Sequence, residues 1–252
     1  MEFDHVINSG CSLSYGTDLK DIYSRYPFLV AKHFNAKLID YSTPGNLNEF
    51  IAGYAIAGIL KLIKEKKIDV KKTLVLINWT FFTRFKYFDT DSKSYFIFTK
   101  ERLFYKWFQD RLNTKNFSLE DLESYCIHHH SERVMIYNSL KEIYYMQLFL
   151  QSVGIENFVF SFPNKPTYDY VKGWIWDNHR EDKFNKETRK EFITPPVTDV
   201  AQQINDSKTF KIFIEDMTDR KGYPRGVTDH PMEEAHVDYS SQLIKFIEEL
   251  YD

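Results

Sequence analysis

Two cysteines, Cys11 and Cys126, are all that the 252 residues contain, too few for a disulfide framework. Charged Glu2 and Asp4 flank Phe3 and lead straight into a β-rich run, which leaves no room for a signal peptide. Both thiols are therefore expected to be reduced, in a cytoplasmic protein. Long hydrophobic runs are missing too. The longest mostly apolar stretch, residues 51–63, is interrupted by Gly53 and Gly58 and runs into Lys64-Glu65-Lys66-Lys67. It is too short to cross a bilayer, so a buried helix is expected and no membrane partner. Nor is there a surplus of positive charge: 33 Lys and Arg stand against 36 Asp and Glu, and no basic stripe of the kind that follows a phosphate backbone is present. Nucleic acid is not an expected partner.

Aromatic residues, by contrast, are plentiful, with 22 Phe and 17 Tyr. They fit an aromatic-lined cavity and a well-filled core equally well. A chain of this length is read as one elaborated domain spanning residues 1–252.

Residues 3–8 alternate and break at Ser9-Gly10, as a short strand entering a tight turn does. Helical spacing follows over 26–34, and a second strand over 36–41 ends at the turn cluster Ser42-Thr43-Pro44-Gly45. Asn46 or Asn48 is placed to cap a long helix ending near Lys67. The apolar, β-branched run 73–77 reads as a central strand covered on both faces. Residues 80–131 are irregular and rich in aromatics, an expected insertion or cap over the core. A long amphipathic helix over 131–153 and a strand over 157–162 restore the alternation. The stretch 163–228 is punctuated by Pro163, Pro166, Pro195, Pro196 and Pro224, with an edge strand around 210–214. A last helix runs from about Pro231, with Val237, Leu243, Ile244, Ile247 and Leu250 on its buried side and Glu233 and Glu234 near its positive end. Strands alternating with helices imply a mostly parallel α/β sheet with helices on both faces, whose strand-end loops share one ligand-binding rim.

Four segments along that rim carry chemistry. A serine hydroxyl needs a base to take its proton, and acyl transfer needs donors aimed at the oxyanion. Gly10-Cys11-Ser12-Leu13-Ser14-Tyr15-Gly16 resembles the first block of the SGNH, or GDSL, hydrolases, with Cys11 in place of the usual Asp. By that resemblance Ser12 is the nucleophile and its N–H an oxyanion donor. Pro44-Gly45-Asn46-Leu47-Asn48 resembles a Pro-Gly-x-Ser-Asn form of the second block, so Gly45 lends a second N–H, with Asn48 beside it as a substrate contact. The third block, normally Gly-x-Asn-Asp, is replaced by Ile77-Asn78-Trp79-Thr80 followed by Arg84. Thr80 then stands where the oxyanion Asn would be. Asp229-His230-Pro231 resembles the last block, with His230 as the base.

The family's acid stands three residues before that histidine, where this chain has Val227, so the acid is Asp229, displaced, or absent. His236 with Glu233 three residues before it is an alternative base. The resemblance spans the chain from end to end, with no motif between Arg84 and Asp229, and it implies a three-layer, flavodoxin-like fold.

Each residue also has a plainer reading. Ser12 after a glycine turn resembles a helix N-cap, and Cys11 a small buried hydrophobe rather than a nucleophile. His128-His129-His130 diverge too much to bind a metal, and none is expected, nor any cofactor. Arg84 either binds an anionic or sugar group or anchors the insertion. Trp79, Phe81, Phe82 and Tyr87 either line an acyl or glycan pocket or fill a satellite core, and Trp174 and Trp176 either stack on a sugar or do not. The expected activity is a serine esterase acting on a small-molecule or carbohydrate ester, such as a short O-acyl group. A non-catalytic glycan- or protein-binding module and an O-acyltransferase stand as alternatives.

Overall fold

The computed structural model describes residues 2–82, 84–89, 94–99, 132–171 and 203–251. Four strands, β1 (His5–Ser9), β2 (Lys37–Asp40), β3 (Thr73–Asn78) and β6 (Phe158–Ser161), form a parallel sheet in the order β2-β1-β3-β6. In-register pairs such as Val6 with Leu38, Val6 with Leu74, and Ile77 with Phe160 fix the pleat. A fifth position is begun by one parallel bridge, Thr209 to Phe160. This replaces the strand expected over 210–214, because the chain turns into a helix at Ile214.

The connections explain why helices cover both faces. From β1 the chain passes through α1 (Ser12–Tyr15) and α2 (Tyr26–His33) and moves one way to β2. Through α3 (Asn48–Lys64) it moves the other way, across β1, to β3. Right-handed crossovers in opposite directions put α2 and α3 on opposite faces. Helix α4 (Glu132–Ser152) packs on α3, while the terminal helix α7 (Glu233–Tyr251) packs on α2. Between them lie Val6, Ile7, Ile51, Ile59, Leu74 and Ile77, none of them exposed to solvent. Each such side chain contributes roughly 1.5–3 kcal/mol. Every residue of β3 is buried, as its apolar run predicts.

Short helices α5 (Lys165–Val171) and α6 (Ile214–Lys221) complete the described fold, together with an antiparallel hairpin of β4 (Arg84–Asp89) and β5 (Ser94–Thr99). The hairpin was read from sequence only as irregular chain. Two six-residue aromatic runs around Asp89-Thr90-Asp91-Ser92 are the hairpin signal that was available there. Two local expectations also change. Leu47, not Asn46 or Asn48, occupies the N-cap of α3. Leu243 and Ile247 are buried as expected, but Val237 is half exposed, and Ala235, His236, Tyr239 and Ser240 complete the buried stripe of α7.

The strand order reverses between β1 and β3, so a crevice opens at their carboxyl ends. The loop after β1 is crowded. A Cβ on Gly10 would overlap Ser14 Oγ and come within 3.1 Å of Asn78 Cβ, while Ser14 is held by a 2.7 Å bond to the buried Tyr26 hydroxyl. Gly10→Ala is therefore expected to cost about 1–3 kcal/mol through overpacking, read as a lower urea midpoint at unchanged slope.

Candidate active site

Ser12 opens α1 immediately beyond β1. The N-cap is Cys11, fully buried, and no side-chain cap bond closes this helix, so the Ser12 hydroxyl is not a capping group. Ser12 is itself 6% exposed. Its carbonyl accepts from the N–H groups of Gly16 and Thr17, both at 3.0 Å, which turns the chain sharply toward Asp18.

The Gly45 turn lies beside it. Asn46 N–H donates to the Thr43 carbonyl at 3.3 Å with Pro44 and Gly45 between them, and Gly45 has φ +77°, the type II pattern that requires glycine at this corner. Thr43 N–H and the Asn46 side chain both donate to the Gly10 carbonyl, at 3.2 and 3.3 Å, tying this turn to the loop that carries Ser12.

Thr80, expected as an oxyanion donor, is fully buried. Its N–H donates to Asn48 Oδ1 at 2.8 Å and its carbonyl accepts from Asn48 Nδ2 at 3.2 Å, while Asn48 also donates to Ser139 Oγ at 3.1 Å. Asn48 thus joins α3, the end of β3 and α4, rather than facing an open substrate space. The Thr80 hydroxyl is buried and has no hydrogen-bond partner among the described residues. Trp79 is fully buried as well, edge-on to Phe160 at 5.6 Å between ring centres, so the structure packs it in the core. Arg84 Nη1 donates to the Asn46 carbonyl at 2.9 Å, and its guanidinium lies 5.5 Å from the Phe81 ring centre. Its described contacts brace the Gly45 turn.

His230 rides on a tight loop. Gly226 N–H donates to the His230 carbonyl at 2.8 Å, and Asp229 N–H to the Gly226 carbonyl at 3.1 Å, with a bridge from Arg225 to Pro231 at the base. Val227, three residues before His230, is at the fully exposed tip. Asp229 has φ +66°, and its carboxylate is 86% exposed and 3.7 Å from Arg225 Nε. The expected acid is directed to Arg225 and to solvent. Arg225 also binds Glu215 and Asp219 at 2.8 and 2.6 Å, and donates to the Asp229 carbonyl at 2.8 Å, which anchors the loop on α6. Burial raises the Glu215 carboxyl above its ordinary range against the opposing pull of Arg225.

The groups that do meet the imidazole were not singled out in the sequence. Thr228 Oγ1 lies 2.8 Å from His230 Nδ1, and Asp18 Oδ2 lies 3.7 Å from the same nitrogen. Asp18 Oδ2 accepts from both the N–H and the hydroxyl of Thr228 at 2.7 Å. Its carboxylate is only 14% exposed. Burial pushes the Asp18 carboxyl up, but the Thr228 bonds and the charge of His230 outweigh it, so it sits below the ordinary carboxylate range. Nothing in spacing marked Asp18 out from Asp21, whose carboxylate caps the next turn by accepting from Tyr23 N–H at 2.9 Å. The Ser12 and His230 segments are joined through this one turn, Thr17 bonding back to Ser12 and Asp18 reaching forward to Thr228.

His236, the alternative base, is 1% exposed, accepts from Tyr26 N–H through Nδ1 at 3.3 Å and stacks on the Tyr26 ring. Burial lowers it to about 4. Glu233 accepts from Lys20 and Asp21 N–H groups at 2.7 and 3.3 Å, so this pair closes the N-terminal turn rather than facing the crevice. Residues 128–130, 174, 176 and Cys126 lie outside the described residues. Among the described residues, no helix is long and apolar enough to cross a membrane.

No protein-family model matches the chain, and no curated protein sequence does. Solved structures give likenesses at low identity. The psychrotrophic esterase EstA from Pseudoalteromonas sp. is 12% identical with a TM-score of 0.49, over 98% of this chain and 97% of that one. A lipase from a goat rumen metagenome is 14% identical with a TM-score of 0.48, over 96% of each chain. Axe2, an acetylxylan esterase from Geobacillus stearothermophilus, is 9% identical with a TM-score of 0.48, over 98% and 95%.

Proposed function

We propose that this chain cleaves a short acyl group from an oxygen ester through a covalent acyl-enzyme on Ser12, with His230 as the base. One observation carries the reading: the turn after α1 is bonded at one end to the Ser12 carbonyl and at the other to the loop that holds His230. In the first step His230 Nε2 takes the hydroxyl proton as Ser12 Oγ bonds to the carbonyl carbon. The resulting oxyanion is received by the N–H groups of Ser12 and Gly45 and by the Thr80 hydroxyl. Collapse breaks the ester C–O bond, and the imidazolium protonates the leaving alcohol. Water then repeats the sequence on the acyl-enzyme, or a second alcohol does so, in which case the net reaction is transfer. A carbohydrate is the alcohol favoured here, since Thr43 and Pro44, next to Gly45, are exposed and a polar leaving group suits a solvent-facing turn.

A serine-directed fluorophosphonate tests the reading. The expected result is a single adduct mapped to Ser12 and lost in His230→Gln. An adduct on another serine, or none at all, sinks it. The Thr80–Asn48 closure also favours a second reading, a non-catalytic module, because it occupies groups that substrate would otherwise use. That module leaves Ser12 unlabelled.

Thr80→Val separates catalysis from packing. Removing a buried hydroxyl that has no partner is expected to leave stability unchanged or raised, while loss of an oxyanion donor lowers kcat by roughly 100-fold or more. Unchanged turnover of p-nitrophenyl acetate in this variant removes Thr80 from the oxyanion site.

A further inference from the structure

The proposed chemistry needs His230 to present a lone pair at Nε2, which means its proton must be held at Nδ1. Asp229 does not hold it there: its carboxylate is 86% exposed and faces Arg225. The position of the family's acid is the solvent-exposed Val227. We infer that Asp18, acting through the hydroxyl of Thr228, is the positioning acid of this site, an inference that rests on the reading of Ser12 and His230 above.

The directions of the hydrogen bonds follow from the donors available. Asp18 Oδ2 accepts from Thr228 N–H and lies 2.7 Å from Thr228 Oγ1. An ionised carboxylate has no proton to give, so the threonine hydroxyl donates to it. Thr228 Oγ1 then has only lone pairs to offer the ring nitrogen 2.8 Å away, and Nδ1 must carry the proton. The relay is Nδ1–H to Oγ1, then Oγ1–H to Oδ2. It leaves the Nε2 lone pair as the base and puts a carboxylate 3.7 Å from Nδ1 when the imidazolium forms.

Three features hold the relay in place. Asp18 adopts φ +71°, a left-handed conformation that aspartate tolerates better than most residues. Gly226 lies flat against it, such that a Cβ there would overlap the Asp18 side chain. The Arg225 anchor then fixes the loop on which both Gly226 and Thr228 stand. Among the described residues, Asp229 and Arg225 stand on the same loop as the imidazole, and His236 of α7, which interacts with it electrostatically, stays neutral above about pH 4.

The test is carried out on the full chain with two readouts. In side-chain 15N spectra, neutral His230 is expected as the Nδ1–H tautomer. Its titration midpoint is expected to fall in Asp18→Asn and in Thr228→Val, because each removes carboxylate support from the imidazolium, and to recover in Thr228→Ser. On p-nitrophenyl acetate, Asp18→Asn and Thr228→Val each lower kcat/KM by about 10- to 1,000-fold, with the acid limb of the pH profile moved to lower pH. The double variant is no worse than the more impaired single one, since the groups act as a unit. An Nε2–H tautomer in the unmodified chain, a midpoint unmoved in both variants, or a larger loss in Asp229→Asn than in Asp18→Asn overturns the relay. Failure of the acyl-enzyme reading shows separately, as a chain that neither labels nor turns over esters while the tautomer is still read by NMR.

Discussion

Ser12→Ala is expected to lower ester turnover by about 10⁴- to 10⁶-fold, the range over which a serine nucleophile and its base act as one unit. The fold should not notice. The hydroxyl does not cap α1, and the buried bond that organises this loop belongs to Ser14 and Tyr26. Stability is therefore expected to stay within about 0.5 kcal/mol of the parent. Initial rates on p-nitrophenyl acetate and a urea unfolding curve on the same preparation check both halves. Retained turnover at full stability would remove Ser12 from the chemistry, whereas a matched fall in both would mean only that the loop had collapsed.

The second large effect concerns pH and stability. In the unfolded chain the His236 imidazole takes a proton near its ordinary value of 6.5, but burial in the fold lowers this to about 4. Between those values the unfolded state binds more protons than the folded state, so stability is full above about pH 6.5 and declines as pH falls toward 4. The loss approaches roughly 3 kcal/mol. Carboxylates held below their ordinary range, such as Asp18, Glu233 and Asp238, add their own losses at still lower pH. His236→Asn, whose amide oxygen can still accept from Tyr26 N–H, isolates the histidine. Urea midpoints at pH 7.5 and 4.5 are expected to differ much less in this variant than in the parent. Equal differences would clear His236 of responsibility.

The alternation of strands and helices was legible because β3 and β6 are mostly apolar, β1 and β2 are short runs that break at turn residues, and the long helices carry apolar residues at helical spacing. Residues 73–77 could be nothing but a central strand. Ser12 and His230 stood out through the resemblance of Gly10-Cys11-Ser12 and Asp229-His230-Pro231 to motif blocks that occur in that order, since neither segment is distinctive alone. Asp18 was invisible for a physical reason: the role inferred for it comes from a contact with Thr228, 210 positions along the chain, and its neighbours carry no periodic pattern. Val237 was misplaced because apolar character alone was taken as burial, whereas the angular position of His236 and Tyr239 sets the buried side of α7. Asn48 was read as a substrate contact from its place after a motif segment, and Trp79 as either a pocket or a core residue. Their neighbours are core aromatics and the end of β3.

The turn at Asp18 and Lys20 is fastened to Thr228 and Glu233, and Tyr26 to His236. The segments carrying Ser12 and His230 are thus joined by contacts between residues more than 200 positions apart, and such distant pairings are entropically slow to form. During synthesis the Ser12 loop emerges early and meets the His230 loop only after the last segment of the chain has been made. Ester turnover in refolding would appear as the last event, after the sheet has formed, and in gentle denaturation it would be the first property lost.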